Sequence, residues 1–262
     1  MKILITGATS GIGFDLAKTL ARGNHAVYIT THKKEQVEEV SKKIEKEKLM
    51  IYPYKMDIRK KKDRGLIRKI NPDVLVNHAG IGNGGSLLDI DIEVLKDNYE
   101  TNIFASFSLL KEFYDLKVER GEYGKIFVTS SVASMLPIPF LGCYTSSKAA
   151  ISMLVKTLQL ELKSRDSNIH ISLIEPGAYH TGFNQVMIDN KQLFTEKSSH
   201  IYKDIPSMNR IQRNMFALIE KENTISLVKK VAKEIEKEHP KFLIRKPMIQ
   251  GLMAKILFLF YR

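Results

Sequence analysis

Seven short apolar runs, separated by stretches of helical periodicity, take up almost the whole of this chain. The runs are Lys2 to Thr6, Ala26 to Thr30, Leu49 to Tyr54, Val74 to Asn77, Lys125 to Ser130, Ile169 to Ile174 and Lys241 to Ile244, and their length and composition read as strands. Helical patterns fall at about 11–22, 34–47, 62–70, 92–116, 144–164 and 225–238. Strands that are apolar throughout are buried on both faces, as in a parallel sheet covered by helices. Right-handed crossovers then make this a doubly wound α/β sheet. No repeat, linker or low-complexity segment divides the sequence, so residues 1–262 are expected to form a single domain.

The length of 262 residues is ample for a large core, and the net charge of +12 is unevenly spread. Arg59, Lys60, Lys61, Lys62, Arg64, Arg68 and Lys69 face one acid, Asp63, but no aromatic residues interleave with them. A nucleic-acid partner is therefore not expected. Cys143 alone cannot form an internal disulfide, and with no base beside it in sequence it reads as a bystander to Tyr144. The first apolar run is too short for a signal peptide, which points to a cytoplasmic protein. Residues 179–223 are polar and long for a connection, as a substrate lid would be. Its apolar residues Phe183, Val186, Met187, Ile188, Leu193, Phe194, Met215 and Phe216 would wall a site for a hydrophobic molecule. Met248 to Tyr261 is interrupted only by Gln250 and Lys255. A helix at about 247–261 would pack on the domain or a partner subunit, with weak membrane-surface attachment as the alternative.

Two local patterns carry chemistry. Directly after the first strand comes Thr6-Gly7-Ala8-Thr9-Ser10-Gly11-Ile12-Gly13, which runs into the first helix. Glycines there allow a tight turn and let a diphosphate reach backbone N–H groups at the positive end of a helix dipole. The spacing lacks the Gly-Lys-Ser/Thr of a P-loop, so ATP hydrolysis is disfavoured and a dinucleotide favoured. Farther on, Tyr144 and Lys148 lie four apart at the start of a helical stretch, on one face. A free phenol titrates near about 10, so proton transfer near neutrality needs its anion stabilised, and a neighbouring ammonium does that.

The glycine turn, Asn77-His78-Ala79-Gly80, Ser131, Tyr144-x-x-x-Lys148 and Pro176-Gly177 stand in an order and at a spacing that resemble the short-chain dehydrogenase/reductase family. The resemblance covers nearly the whole chain and implies a Rossmann fold with a seven-stranded parallel sheet. It implies hydride transfer between a nicotinamide and a carbonyl or alcohol carbon, with no metal. By resemblance, Tyr144 is the general acid/base and Lys148 holds the nicotinamide ribose and stabilises the tyrosinate. Ser131, thirteen residues before the tyrosine, would bond the substrate oxygen, and its neighbour Ser130 is rejected on spacing. Asn102 matches the residue that distorts a long helix so that a carbonyl can hold a water of the proton relay. His78 stands where the family often has a second Asn and reads as a structural or cofactor-loop residue.

The cofactor contacts implied are Gly7, Thr9, Ser10, Gly11, Ile12 and Gly13 at the diphosphate, Asp57 and Ile58 at the adenine, and Asn77, Ala79, Gly80, Tyr144 and Lys148 farther along. Pro176, Gly177 and Thr181 would close on the nicotinamide carboxamide. The second strand ends without the acid that would bind the adenosine ribose and repel a 2′-phosphate. Thr31, His32 and Lys33 follow instead, which favours NADP(H) over NAD(H). The expected activity interconverts a hydrophobic ketone or aldehyde and its alcohol, and a non-catalytic dinucleotide sensor or scaffold is the alternative. A homodimer or homotetramer is implied by the resemblance alone.

Overall fold

The computed structural model describes the backbone of residues 1–165, 167–195 and 205–260, and side chains over the same range except 190–195, 205–209, 211, 212 and 260. Seven strands form one sheet: β1 (Lys2–Ile5), β2 (Ala26–Thr31), β3 (Ile51–Lys55), β4 (Val74–Asn77), β5 (Gly124–Thr129), β6 (Ile169–Pro176) and β7 (Leu243–Lys246). All pairs are parallel and the order is β3-β2-β1-β4-β5-β6-β7. Chain order reverses between β1 and β4, so the connections leaving these two strands go to opposite faces and open a crevice at their carboxyl ends.

The helices are α1 (Gly11–Arg22), α2 (Lys34–Glu47), α3 (Lys61–Arg64), α4 (Leu66–Ile70), α5 (Ile92–Tyr99), α6 (Ser106–Arg120), α7 (Gly142–Ser164), α8 (Phe183–Thr195), α9 (Ile205–Ile219), α10 (Ile225–Glu236) and α11 (Met248–Phe260). Alternation along the strands sorts the core into two layers. Ile3, Ile5, Val74 and Val76 pack with Leu16, Leu20, Val228 and Val231 of α1 and α10. Leu4 and Leu75, pointing the other way, pack with Leu109, Phe113, Ile151 and Val155 of α6 and α7.

Two departures from the sequence reading have physical causes, and the helix distortion expected around Asn102 is present. The single helix expected over 62–70 is broken at Gly65 into α3 and α4. Its two arginines are paired: Arg64 donates to the Ile58 carbonyl at 2.8 Å and to Glu112 at 2.9 Å, and Arg68 to Glu119. The helix expected over 92–116 contains a wide turn, Glu100–Ala105, with π-type hydrogen bonding between α5 and α6. The terminal helix leaves most of its large apolar side chains outside the domain: Ala254 is 2 % exposed and Leu252 59 %. Part of the proposed lid, residues 196–204, lies outside the described residues.

Buried polar groups are answered locally. The Lys125 ammonium, on the inner strand β5, donates to the carbonyls of Ile235 and Lys237 at 2.9 and 2.5 Å, capping the end of α10. Phe113, fully buried in the layer under α6, has no such polar duty. Phe113→Ala is expected to lower stability by about 3–5 kcal/mol in urea unfolding, the cost of a large cavity in a packed core.

Candidate active site

The carboxyl ends of β1 and β4 are tied by one side chain. The Thr6 hydroxyl oxygen accepts from the backbone N–H groups of His78 and Ala79 at 3.0 and 2.9 Å. The turn above it carries Gly7 at φ +63°, where a Cβ would also stand 2.7 Å from the Ala79 Cα, so only glycine fits. Thr9 and Ser10 complete the turn, and Ser10 is the N-cap of α1 without a capping hydrogen bond from its side chain. No acidic residue sits in the first turn of that helix. The positive end of α1 is thus left open at the crevice. Gly13 is packed under the His78 ring, and Gly11 faces Thr181 across a gap that a Cβ would close to 3.1 Å.

At the end of β2 the Thr31 hydroxyl bonds the Gln36 side chain, and the Lys33 N–H approaches Thr31 Oγ1 at 3.5 Å. His32 beside them has its pKa pushed down, first by burial and then by Lys33, and it also feels Arg59 and Lys55. Beyond β3, Asp57 accepts from Arg59 Nε and Nη2, each at 3.1 Å, and from its backbone N–H at 3.1 Å, while Arg59 Nη1 donates to Asp97. Burial raises the Asp57 carboxyl, but the Arg59 hydrogen bonds and charge outweigh it and hold the group below its usual range. Ile58 turns its side chain into the core.

Of the remaining expected residues, Ser131, Tyr144, Lys148, Gly80, Pro176, Gly177 and Thr181 are on the wall of one cavity of about 450 Å³, together with Ile12 of the glycine turn. Tyr144 and Lys148 are buried one turn apart near the start of α7. Desolvation pushes the Tyr144 phenol up to about 12, opposed by hydrogen bonding with Ser131. Desolvation pushes the Lys148 ammonium down to about 8. Its Nζ donates to the Thr129 carbonyl at 3.0 Å and sits 5.9 Å from the centre of the Tyr144 ring. Ser131 caps the short 3₁₀ turn Val132–Met135, accepting from the Ala133 N–H at 3.1 Å. Ser130 is engaged elsewhere, donating to the Lys148 carbonyl at 3.0 Å and lying 2.6 Å from Ser152 Oγ.

Asn102 lies inside the wide turn. Its amide exchanges two hydrogen bonds with the backbone of Ile81, each 2.9 Å, and donates to Ser147 Oγ at 2.9 Å. The helix before α6 is thereby pinned both to the loop after β4 and to the turn of α7 that carries Tyr144 and Lys148. Asn77 points away from the crevice, donating to the Ser106 carbonyl and hydroxyl at 2.9 and 2.7 Å. His78, on the cavity wall, meets Thr129 Oγ1 at 3.1 Å through Nδ1 and is pushed down to about 4 by desolvation and the Lys148 charge, so it stays neutral. Thr6, Thr129 and Arg59 were not among the residues singled out from sequence; a Thr closing a strand before a glycine turn was the one available signal.

The outer wall is apolar. Phe183, Met187, Met215 and Phe216 line the cavity, whereas Val186 is exposed and Ile188 is buried beneath. The Phe183 ring stands 5.6 Å from that of Tyr144. The side chains of Leu193 and Phe194 lie outside the described ones. Gln250 of α11 closes one side, accepting from the Ala178 N–H at 2.8 Å and donating to the Ile219 carbonyl at 2.6 Å.

Residues 1–192 match the family described as short chain dehydrogenase. The chain belongs to the short-chain dehydrogenase/reductase family. It is similar to dehydrogenase/reductase SDR family member 4 of Bos taurus, 31% identical over 191 residues, 70% of this chain and 67% of that protein. A 3-ketodihydrosphingosine reductase of Bacteroides thetaiotaomicron is 28% identical over 265 aligned positions, 97% of this chain and 90% of that protein. The fold matches that of a short-chain dehydrogenase/reductase from Burkholderia phymatum solved in complex with NAD, at a TM-score of 0.82 and 18% identity over 97% of this chain and 91% of that one. The family consists of oxidoreductases that use a nicotinamide dinucleotide. The residues here fit such a group: an open helix terminus for a diphosphate, and a buried lysine and phenol at the other end of the crevice. Among the described residues no group of His, Cys, Asp and Glu could hold a metal ion.

The Lys148 shift has a measurable sign. Between about 8 and its unfolded value of 10.5 the unfolded chain holds a proton that the folded chain has lost, so this residue makes stability rise with pH over that window. Lys148→Met is expected to remove a slope of roughly 1 kcal/mol per pH unit there, read from urea unfolding at pH 7 to 10.

Proposed function

We propose that the chain, acting as one catalytic domain over residues 1–262, is an NADP(H)-dependent oxidoreductase that interconverts a hydrophobic ketone or aldehyde and its alcohol. The observation that carries this reading is the pairing of the Tyr144 phenol with Ser131 at the inner end of an apolar-walled cavity, with Lys148 beneath. Bound in the crevice, the nicotinamide cofactor supplies or takes up the hydride. The chain's own groups do the rest. Ser131 Oγ and Tyr144 Oη hydrogen-bond the carbonyl oxygen and polarise it. In reduction Tyr144 Oη gives its proton to that oxygen, and in oxidation it takes the proton back.

A phenol raised to about 12 is fully protonated at neutral pH, which suits the donor role, and the nearby ammonium lowers the cost of the tyrosinate left behind. Asn102 keeps α7 in register with the loop after β4, which holds donor and acceptor in one geometry. The similarity to a protein named for reducing 3-ketodihydrosphingosine supports a ketone with a long apolar portion and reduction as the working direction. A location in the cytoplasm and a homo-oligomeric state belong to the same reading. The decisive assay follows NADPH absorbance over a panel of ketones and aldehydes graded in chain length. Tyr144→Phe should lower kcat/KM at least about 100-fold while NADPH affinity stays within about threefold. Turnover unchanged by this substitution would remove the mechanism, and cofactor binding without turnover across the panel would favour a sensor.

The preference for a 2′-phosphate rests on charge. Lys33 stands exposed at the end of β2, Lys55 and Arg59 lie close by on Asp63 and on Asp57 and Asp97, and Asp57 is thereby neutralised. Lys33→Glu should reduce kcat/KM for NADPH about tenfold or more and leave NADH little changed. Wild-type protein that prefers NADH would overturn the assignment.

A further inference from the structure

Helix α11 is amphipathic in reverse. It rests on the body through Gly251 and Ala254, with Gly251 so close that a Cβ would stand 2.1 Å from Arg245 Cδ. Its large side chains face outward, Met248 70 % and Leu259 66 % exposed, with Ile249, Leu252 and Ile256 between them. The end of α9 extends the patch with Leu218, 87 % exposed, and Ile219, and Gln250 fastens the two helices together. Single exposed apolar residues are ordinary, but a contiguous face of this kind marks a docking surface.

The same helix is also a wall of the catalytic cavity. Met253 and Leu257 line that cavity and are at the same time about half exposed at the outer surface. An apolar path therefore runs from the outer face of α11 to the space beside Tyr144.

Charge selects what covers this face. Residues 239–262 contain Lys241, Arg245, Lys246, Lys255 and Arg262 and no acid. Residues 205–219 of α9 add Arg210 and Arg213, again with no acid. Lys255 stands exposed in the middle of the apolar stripe. Arg245 and Arg213 are paired with Glu175 and Asp189, but a second copy docking face to face by a two-fold would still set Lys255, in the centre of the stripe, against its own counterpart. An anionic bilayer complements it, taking the apolar side chains among the acyl chains and the cations among the headgroups. No helix among the described residues is long and apolar enough to cross a membrane, and α11, at about 20 Å, suits a position along the surface.

We propose that α11 and the end of α9 dock this protein on an anionic lipid bilayer, from which an acyl-chain-bearing carbonyl or alcohol enters the cavity beneath α11. The docking stands on the surface alone, and the delivery of substrate rests on the oxidoreductase reading above. The test is flotation of the full chain with phosphatidylcholine vesicles, with and without phosphatidylglycerol. Wild-type protein is expected to float with the mixed vesicles and to partition at least about tenfold less into neutral ones. Leu252→Asp combined with Ile256→Asp alters two exposed positions off the cavity wall and should abolish flotation, while turnover of a short water-soluble ketone and the thermal transition stay unchanged. Lys255→Glu alone should weaken flotation without touching the apolar stripe.

Protein that stays in solution beside anionic vesicles, or a double variant that floats as well as wild type, would overturn the docking. So would sedimentation velocity showing a wild-type dimer that the double variant splits, without vesicle binding. A long-chain ketone presented in anionic vesicles should turn over at least about tenfold faster than in neutral ones, with the difference lost in the double variant. Equal rates would remove the delivery step. Flotation with turnover indifferent to Tyr144→Phe would leave docking intact and remove the oxidoreductase mechanism instead.

Discussion

One hydroxyl oxygen holds the crevice open in the right place. Thr6 follows the first strand, and by accepting two successive amides just past β4 it ties the point at which chain order reverses. Those amides lie past the last ladder pair of the sheet, where nothing else of the strands can meet them. With β1 and β4 locked there, Gly7 packs on Ala79, Gly13 on His78, and the open terminus of α1 points across the mouth. The glycine turn and the cavity that holds Tyr144 and Lys148 thus lie on either side of a single strand junction.

Against that rigid edge the site keeps its charges out of balance. Lys148 and Tyr144 are both removed from water, and each resists its ionised form: the lysine falls toward about 8 and the phenol rises toward about 12. In the proposed reaction the two penalties would offset each other, because a proton leaving the phenol creates the anion that the ammonium lacks. A carbonyl of Thr129 steadies the lysine without neutralising it, and His78, held neutral alongside, adds no competing charge.

Much of this was legible in the residues. The continuous apolar strands gave the parallel sheet, because burial on both faces leaves no alternation to read. The four-residue spacing of Tyr144 and Lys148 gave their neighbourhood, because helix geometry makes it local. Asn102 could be singled out, but its partners Ile81 and Ser147 could not, since contacts across 21 and 45 residues depend on how layers close. Arg59 was seen only as part of a basic run. Its bidentate hold on Asp57 turns on the bend after β3, which hydrophobic pattern does not encode. The outward-facing apolar helix was the hardest to read, because composition records what a helix is made of and not which of its sides meets the body.

The Gln250 side chain joins elements that are far apart in sequence. Its oxygen takes the Ala178 N–H in the loop after β6, and its nitrogen gives to the last carbonyl of α9. A carboxamide can do both because it carries an acceptor and a donor on one carbon. The outer helix, the segment over the cavity and the loop beside it therefore meet at one side chain, so the place of α11 is tied to the backbone that borders the cavity.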